Sequence, residues 1–565
     1  MSFSLSFALK RCRAWRPQLG RPLLTALVAL WLMLSMNAGF WKTVWQGVDG
    51  WSNGNPLFLA SLPILVGAWL FVVLAALAWS RLTKPMLALL LVLSAGASYF
   101  MSSFGIVIDY QMLTNVAQTD TAEALELLSP TMLLWLGAFG VLPALLLNRV
   151  RLRDLGWRRE LFGQLGAVGV AVALVLGVAF TFYQPYASLL RNHREVRLQL
   201  VPSNLVSAAH SYLRHEFSSP RQLQRVGEDA HRVARVDQGH KPRVTVVVVG
   251  ETARAANFSL DGYPRETTPE LAARELVNYT QSTSCGTATA VSVPCMFQGL
   301  GHDGYRDEMA SYRESLLDVL QRAGVSVLWR DNNSGCKGAC DRVPSEDVSH
   351  LDVAELCGEG ECHDGVLLEG LQAYLDRLKD DAVIVLHMKG SHGPAYYKRY
   401  PQAFEHFTPV CRDSQLDHCS RESIVNAYDN SLRYTDHVLA QTIDLLTQNE
   451  AKLDSAMLYL SDHGESLGEN GIYLHGLPYA MAPAEQKHIP MLLWLSQGLQ
   501  QHSGITHSCL AAHADQPVSQ DNLYHSVLGL MGVQTHVYQA SLDLFRDCQA
   551  PRTAQLADEV QSSVN

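Results

Sequence analysis

Five long apolar runs crowd into the first 190 residues of this chain, near 23–43, 57–80, 86–107, 131–148 and 165–185. Each approaches the roughly 20 residues that cross a hydrocarbon core. Buried core helices are the other source of such runs. Five in series, separated by short polar loops, form a membrane pattern instead. The fourth run is shorter and is interrupted by Gly137, Gly140 and Pro143. The basic residues give a direction. Lys10, Arg11, Arg13, Arg16 and Arg21 precede the first run, Arg81 and Lys84 follow the second, and Arg149, Arg151, Arg153, Arg158 and Arg159 follow the fourth. The loop after the first run has only Asp49 as a charge, with Lys42 at the edge of that run, and the third loop holds Asp109, Asp120, Glu123 and Glu126. Basic loops stay inside, so the N-terminus is expected in the cytoplasm and everything after the fifth run outside. The first run is long for a signal-peptide core and has no clear small-residue cleavage site, which predicts that it stays attached.

Cysteine usage points the same way. Cys12 is alone on the inner side, and the other ten cysteines lie beyond residue 284. An even number in the exported part predicts disulfides in an oxidising compartment. The close pairs are Cys285 with Cys295, Cys336 with Cys340, Cys357 with Cys362, and Cys411 with Cys419, which leaves Cys509 and Cys548 for each other. Zinc-thiolate sites are the competing reading, and the irregular spacings speak against them. A formal net charge of -10 gives no footprint for nucleic acid.

The chain divides into a five-span transmembrane domain (1–186), a bridge (187–240) and an exported domain (241–565). Within the bridge, 187–200 carries Arg191, Arg194, Arg197, Leu198 and Leu200, with Val201 just beyond, and is expected as an amphipathic surface helix or a plain linker helix. From 242 the pattern is α/β. Continuous apolar strands are predicted at 244–249, 325–329, 382–387, 456–460 and 490–495, with helices at 309–323, 365–378 and 427–446. Such alternation predicts a mostly parallel sheet covered on both faces.

Three of these strands run into reactive sequence. Glu251 follows the first, HMKGSHGP (387–394) ends the third, and SDHGES (461–466) follows the fourth. Sites in open α/β sheets gather beyond the carboxyl ends of strands, so these segments are expected to converge. Asp462, His463 and Glu251 then form a hard-and-borderline ligand set suited to zinc. His392 and His475 are candidates for a second metal or for a phosphoryl oxygen, whereas His387 reads as a strand end.

The stretch CGTATAVSVPC (285–295) carries the candidate nucleophile. A disulfide needs Cα atoms about 4.4–6.8 Å apart, whereas ten helical residues span about 15 Å. A bond between Cys285 and Cys295 therefore requires a loop followed by a helix starting near 289. That places a hydroxyl at a helix N-terminus, where free N–H groups favour an anionic oxygen or a phosphate. Pro294 is then expected in the first turn or at the end of a short helix. Spacing leaves Thr287, Thr289, Ser284 and Ser292 all open.

The motifs GETAR (250–254), SCGTATAVSVPCMF (284–297), DNNSGCKG (331–338), SHGPAYYKRYP (391–401), YDNSLRYTD (428–436), SDHGESLGENGIYLHG (461–476) and DNLYHSVLGLMGV (521–533) carry a resemblance. Taken together, the chain resembles the lipid A phosphoethanolamine transferases, the family that includes the mobile colistin-resistance enzymes. Its exported domain resembles alkaline phosphatases and sulfatases. The resemblance implies an α/β catalytic domain and Glu251, Asp462 and His463 as zinc ligands. It also implies Thr289 as metal-bound nucleophile, and at least one Zn2+. It implies His392 and His475 near the phosphoryl group, and Asn333, Lys337 and Glu465 around the head group. The pairings of Cys285 with Cys295, Cys357 with Cys362, and Cys411 with Cys419 match family disulfides. That of Cys336 with Cys340 matches one found in some members, and that of Cys509 with Cys548 lies outside the pattern. The implied reaction takes phosphoethanolamine from phosphatidylethanolamine to lipid A through a threonine intermediate. The implied setting is the inner membrane of a Gram-negative bacterium, with a periplasmic catalytic domain, membrane lipids as surroundings and a monomeric chain. Transfer to lipopolysaccharide core or periplasmic glucans is the alternative within the family. A sulfatase or phosphodiesterase is the alternative within the fold, although SCGTA lacks the C-x-P-x-R context of common sulfatases.

Overall fold

The computed structural model describes residues 17–47, 56–77, 79–118, 124–125, 127–192, 196–216, 222–233, 241–358 and 361–549. They fall into two compact units, Met1–Leu113 with Leu128–Phe217, and Thr114–Leu127 with Ser218–Asn565. Cys12 and Arg194 lie outside the described residues.

In the first unit the apolar runs form helices α1 (Arg21–Ser35), α2 (Ala38–Gly47), α3 (Pro56–Leu77), α4 (Thr83–Phe104), α5 (Pro130–Arg149) and α6 (Trp157–Thr181). The helices α3 to α6 are each long and apolar enough to cross a membrane, and α1 with α2 meets the same test as a pair bent by 63°. The first span is thus broken rather than straight, and Asn37 accounts for the break. Its buried side chain donates to the carbonyls of Leu32 and Val201 and accepts the Val201 N–H. The Leu32 carbonyl also accepts the Met36 N–H, so Asn37 adds a second bond at the end of α1 and ties it to Val201. The fourth span, α5, contains a π-helical turn at Leu136–Val141, just before Pro143, which has no N–H to donate. A Cβ on Gly140 would lie 3.0 Å from the Ala95 Cβ and 3.1 Å from the Val92 Cα of α4. A small residue here lets two helices pack closely. In the bridge the described helices are Tyr183–Asn192 and Val196–Gln199, and Leu200 and Val201 are buried, with Val201 tied to Asn37.

The second unit is built on a seven-stranded sheet. Its strands are β1 (Arg243–Gly250), β2 (Val277–Asn278), β3 (Ser326–Asp331), β4 (Ser345–Asp347), β5 (Ala382–His387), β6 (Asp454–Ser461) and β7 (Met491–Leu495), in the order β2-β7-β6-β1-β5-β3-β4. The pairs β6/β1, β1/β5, β5/β3 and β3/β4 are parallel, and β7 runs antiparallel to both its neighbours. The sheet is therefore mostly parallel, as expected, with an antiparallel margin. Register brings the strand ends level. Ser461 lies opposite Gly250, and His387 opposite both Val249 and Asp331. Two expected helices are shorter than read. A 3-10 turn at Asp307–Ser311 precedes a helix at Leu316–Arg322, which a capping box between Ser315 and Asp318 starts afresh. Gly370, at φ 74°, likewise separates a 3-10 turn at Asp364–Leu368 from the helix Leu371–Leu375.

All ten cysteines beyond residue 284 are paired as their spacing suggests. Cys285 is bonded to Cys295 and Cys357 to Cys362. Cys336 is bonded to Cys340, and Cys411 to Cys419, with Cα atoms 5.7 Å apart in both bridges. Cys340 and Cys419 are therefore disulfide partners and not zinc thiolates, because a bonded sulfur has no thiolate to offer. Cys509 is bonded to Cys548, the pair that the family pattern leaves open, and closes a loop with a sequence separation of 39. Removing that bond by Cys509→Ser with Cys548→Ser is expected to cost about 2–4 kcal/mol in the second unit, read as a lower midpoint in denaturant. Peptide mapping without reductant should recover the peptide linked through Cys509 and Cys548; free thiols at both positions would contradict the pairing.

Candidate active site

The carboxyl ends of β1 and β6 start the site. Gly250 is required where β1 ends, because a Cβ there would lie 2.6 Å from the Tyr459 hydroxyl. Glu251 follows it, with its side chain fully buried. After β6 the Asp462 N–H donates to the Gly250 carbonyl, and Asp462 Oδ1 accepts the N–H groups of Thr252 and His463. The backbone leaves the strand here, so adjacent Asp462 and His463 both turn to the same point. The His463 Nδ1 faces the Gly464 carbonyl at 2.9 Å. That contact places the ring proton on Nδ1 and leaves Nε2 as a ligand atom.

The stretch 285–295 folds as its disulfide geometry requires. Cys285 and Cys295 have Cα atoms 6.3 Å apart, and helix α7 (Thr289–Gln298) begins at Thr289. Pro294 corrects one expectation, since it sits inside α7, neither in the first turn nor at its end. The carbonyl it leaves without an N–H partner is that of Ala290, in the partly exposed first turn. The four candidate hydroxyls now separate. Thr287 is buried and donates to the Leu477 carbonyl at 2.6 Å. Ser284 donates to the Gly286 carbonyl, and Ser292 is fully buried. Thr289 Oγ1 instead lies 3.0 Å from Glu251 Oε2 and 3.4 Å from His463 Nε2.

Glu251, Asp462 and His463 present ligand atoms within 4.8 Å of one another, and so do Glu251, His392 and His475. Within the first set, His463 Nε2 is 3.2 Å from Asp462 Oδ2 and 3.4 Å from Glu251 Oε1. Burial opposes ionisation of Glu251, but its hydrogen bond to His463 and the attraction of that ring outweigh it and hold the carboxyl well below the usual carboxylate range. Burial, and then the charge on Glu251, push Asp462 well above that range. Asp462 Oδ2 is buried without a hydrogen bond. Two carboxylates and an imidazole nitrogen buried together, one carboxylate held against ionisation by the other, form a set that a divalent cation fits. Burial also pushes His392 down to about 3, so its imidazole is neutral.

The other expected residues divide. Asn333 donates from Nδ2 to Glu251 Oε2 and to the Met388 carbonyl, both at 2.8 Å. Glu465 is fully buried and 3.5 Å from His475 Nδ1. The His475 ring lies 4.2 Å from that of His463 and 5.7 Å from that of His392. Lys337 is held within its own loop, with Nζ bonded to the Ser334 carbonyl and hydroxyl.

Three supporting residues escaped the sequence reading. Asp331 accepts the N–H groups of Asn333 and Gly335 on one oxygen, and contacts Trp329 Nε1 and His387 Nδ1 on the other. His387, read only as a strand end, is fully buried against Asp331. Their signal was position, since both close strands of the same sheet edge. Gln520 joins the two halves of the site. Its Nε2 donates to the carbonyls of Ser461 and Asp462, and its Oε1 accepts the Cys285 N–H, all at 2.7 Å. Gln520→Ala leaves those buried groups unbonded and is expected to destabilise the unit by about 1–3 kcal/mol. An unchanged unfolding midpoint would contradict this stapling role.

Comparison with known proteins gives the site its family. Residues 66–217 match the family described as phosphoethanolamine transferase EptA/EptB, and residues 243–533 match the sulfatase family. Phosphoethanolamine transferase EptA of Escherichia coli strain K12 is 45% identical over 536 residues, covering 94% of this chain and 98% of that protein. Phosphatidylethanolamine transferase Mcr-1 of Escherichia coli is 40% identical, covering 86% and 90%. The integral membrane lipooligosaccharide phosphoethanolamine transferase A of Neisseria meningitidis superposes with a TM-score of 0.91 at 40% identity, over 95% of this chain and 100% of that one. With a membrane unit and a sulfatase-like unit matched together along nearly its whole length, the chain belongs to the phosphoethanolamine transferase family.

Proposed function

We propose that this enzyme transfers phosphoethanolamine from phosphatidylethanolamine to a phosphate of lipid A through a covalent intermediate on Thr289. The observation that carries the reading is the single partly exposed hydroxyl at the start of α7, aimed at Glu251, Asp462 and His463. The Mcr-1 name supports the donor, and the lipooligosaccharide named for the Neisseria meningitidis enzyme supports the acceptor class. The basic inner loops and five disulfides support an inner-membrane protein with its catalytic unit in the periplasm.

In this scheme Thr289, Glu251, Asp462 and His463 would hold a zinc ion, which would supply positive charge that eases deprotonation of the threonine and offsets charge on the phosphoryl oxygens. The first-turn N–H groups of α7 face the same phosphoryl group. The Thr289 oxygen gives up its proton and forms a bond to the donor phosphorus, and the glycerol oxygen leaves and takes up a proton in its place to become diacylglycerol. An oxygen of the acceptor phosphate then attacks the same phosphorus. The bond to Thr289 breaks and its hydroxyl regains a proton. His392, neutral, and His475 contact the phosphoryl group or hold a second ion, while Asn333 fixes Glu251. Asn333, Lys337 and Glu465 bound the head-group pocket, and the buried Glu465 carboxylate suits the ethanolamine ammonium. A sulfatase reading fails on an observation, because Cys285 is bonded to Cys295 and not available for oxidation to an aldehyde.

Mass spectrometry of lipid A from cells with and without the gene tests the acceptor. A phosphoethanolamine gain on lipid A is expected; a gain on core oligosaccharide alone would overturn that part. Thr289→Ala should lower transfer by about 10³-fold or more, the scale of losing a nucleophile, with folding intact. Wild-type turnover in that variant would end the nucleophile assignment. Zinc affinity has a defined pH sign. Binding needs the Asp462 carboxylate, and its raised value means that a proton must leave, so affinity falls as pH falls through that value. Calorimetry in buffers of different ionisation enthalpy should show proton release on binding, and none would contradict the coupling.

A further inference from the structure

The catalytic unit holds a second polar chamber of about 720 Å³, lined among others by Glu361, Lys389, Gly390, Lys398, Arg399 and Arg412. It shares a peptide with the metal-ligand cluster. Gly390, at φ 52°, packs so closely that a Cβ would lie 2.5 Å from the Glu251 carbonyl oxygen, and the next N–H, of Ser391, donates to that oxygen. Only glycine permits both the backbone angle and the approach. The buried Asp364 carboxylate fixes the peptide from behind, accepting the N–H groups of Lys389 and Gly390 at 2.7 and 2.8 Å. Arg399 donates from Nε to the His392 carbonyl. The chamber wall and the supports of Glu251 and His392 are thus one structure.

Its chemistry is anion-seeking. Glu361 is shared by two cations, Lys389 Nζ at 2.8 Å and Arg399 Nη1 at 2.6 Å, so this triad keeps a net positive charge. The Arg399 side chain is 2% exposed, and a guanidinium stays charged when buried. Lys398 and Arg412 add two cations at the wall, against Glu405, which Arg412 already contacts. Asp364 is occupied by the backbone. Tyr397, Tyr400 and Gln402 also line the chamber and offer polar groups. Such a lining does not suit an acyl chain, and an ammonium group is better served by Glu465. It suits a phosphate ester on a hydroxyl-rich scaffold, for which lysine and arginine supply charge-assisted bonds.

We propose that this chamber is the acceptor subsite, holding the phosphorylated sugar through Lys389, Lys398 and Arg399 beside the peptide that supports Glu251. The proposal rests on the transferase reading above and adds where its second substrate sits. The full chain in lipid nanodiscs tests it through two Michaelis constants. One is for phosphatidylethanolamine, read as diacylglycerol release, and the other is for lipid A, read as product mass. Lys398→Glu with Arg412→Glu, both away from the buried triad, should raise the lipid A constant by about tenfold, the scale of a lost charge-assisted hydrogen bond. The phosphatidylethanolamine constant should move much less, and Lys398→Arg should retain the wild-type lipid A constant. Lipid A stripped of phosphate, which cannot accept the group, should inhibit wild type and the double variant equally. An unchanged lipid A constant would overturn the proposal. So would a parallel rise in both constants, which would assign the phosphate recognised to the donor. Wild-type chain that releases no diacylglycerol would overturn the transferase reading, and this subsite with it.

Discussion

Burying two carboxylates at neighbouring strand ends is the constraint on which the rest of the catalytic unit depends. Glu251 and Asp462 are both inaccessible to solvent, and burial together with the charge on Glu251 opposes the ionisation of Asp462. Buried charge of this kind costs several kcal/mol unless it is paired. The surrounding structure directs backbone N–H groups, the Asn333 amide and the His463 imidazole at it. What these partners leave uncovered faces Thr289 and the two further histidines. The same electrostatic demand that would draw a metal ion also sets the hydroxyl next to it.

Precision at that point comes from neighbouring loops rather than from the sheet alone. The bond between Cys285 and Cys295 turns the chain so that α7 opens at Thr289, and Gln520 binds that turn to the end of β6. Asp331 and His387 carry Asn333, and the Gly390 peptide presses on Glu251 from the other side. Each support is itself buried and bonded, which is how a site is held to the tolerance that in-line phosphoryl transfer requires.

Much of this is legible in the sequence. The valine-rich run of β1 and the apolar run of β5 announce buried parallel strands, and the reactive sequence at their ends locates the site. Cysteine spacing was equally informative, because short separations such as Cys336 to Cys340 and Cys411 to Cys419 leave few other partners within reach. Pairing direction in the sheet was not legible, because β7 is as apolar as the parallel strands of the sheet and only its connection sets it antiparallel. Helix lengths were overread where a local signal overrode periodicity, at the Ser315 cap and at Gly370. Among four hydroxyls, spacing had no means of choosing Thr289. Thr287 is removed from contention by the Leu477 carbonyl, 190 positions away in sequence. Asp331, His387 and Gln520 were missed for a related reason. Their importance lies in what they contact, and those partners are remote in the chain.

The central claim is that Thr289 carries the transferring group. Its most direct test is the mass of the purified protein after exposure to phosphatidylethanolamine with zinc and no acceptor, followed by peptide mapping. The account predicts a phosphoethanolamine adduct confined to Thr289 and discharged when lipid A is added. An adduct on another residue, or turnover to product with no protein adduct at any time, would contradict it.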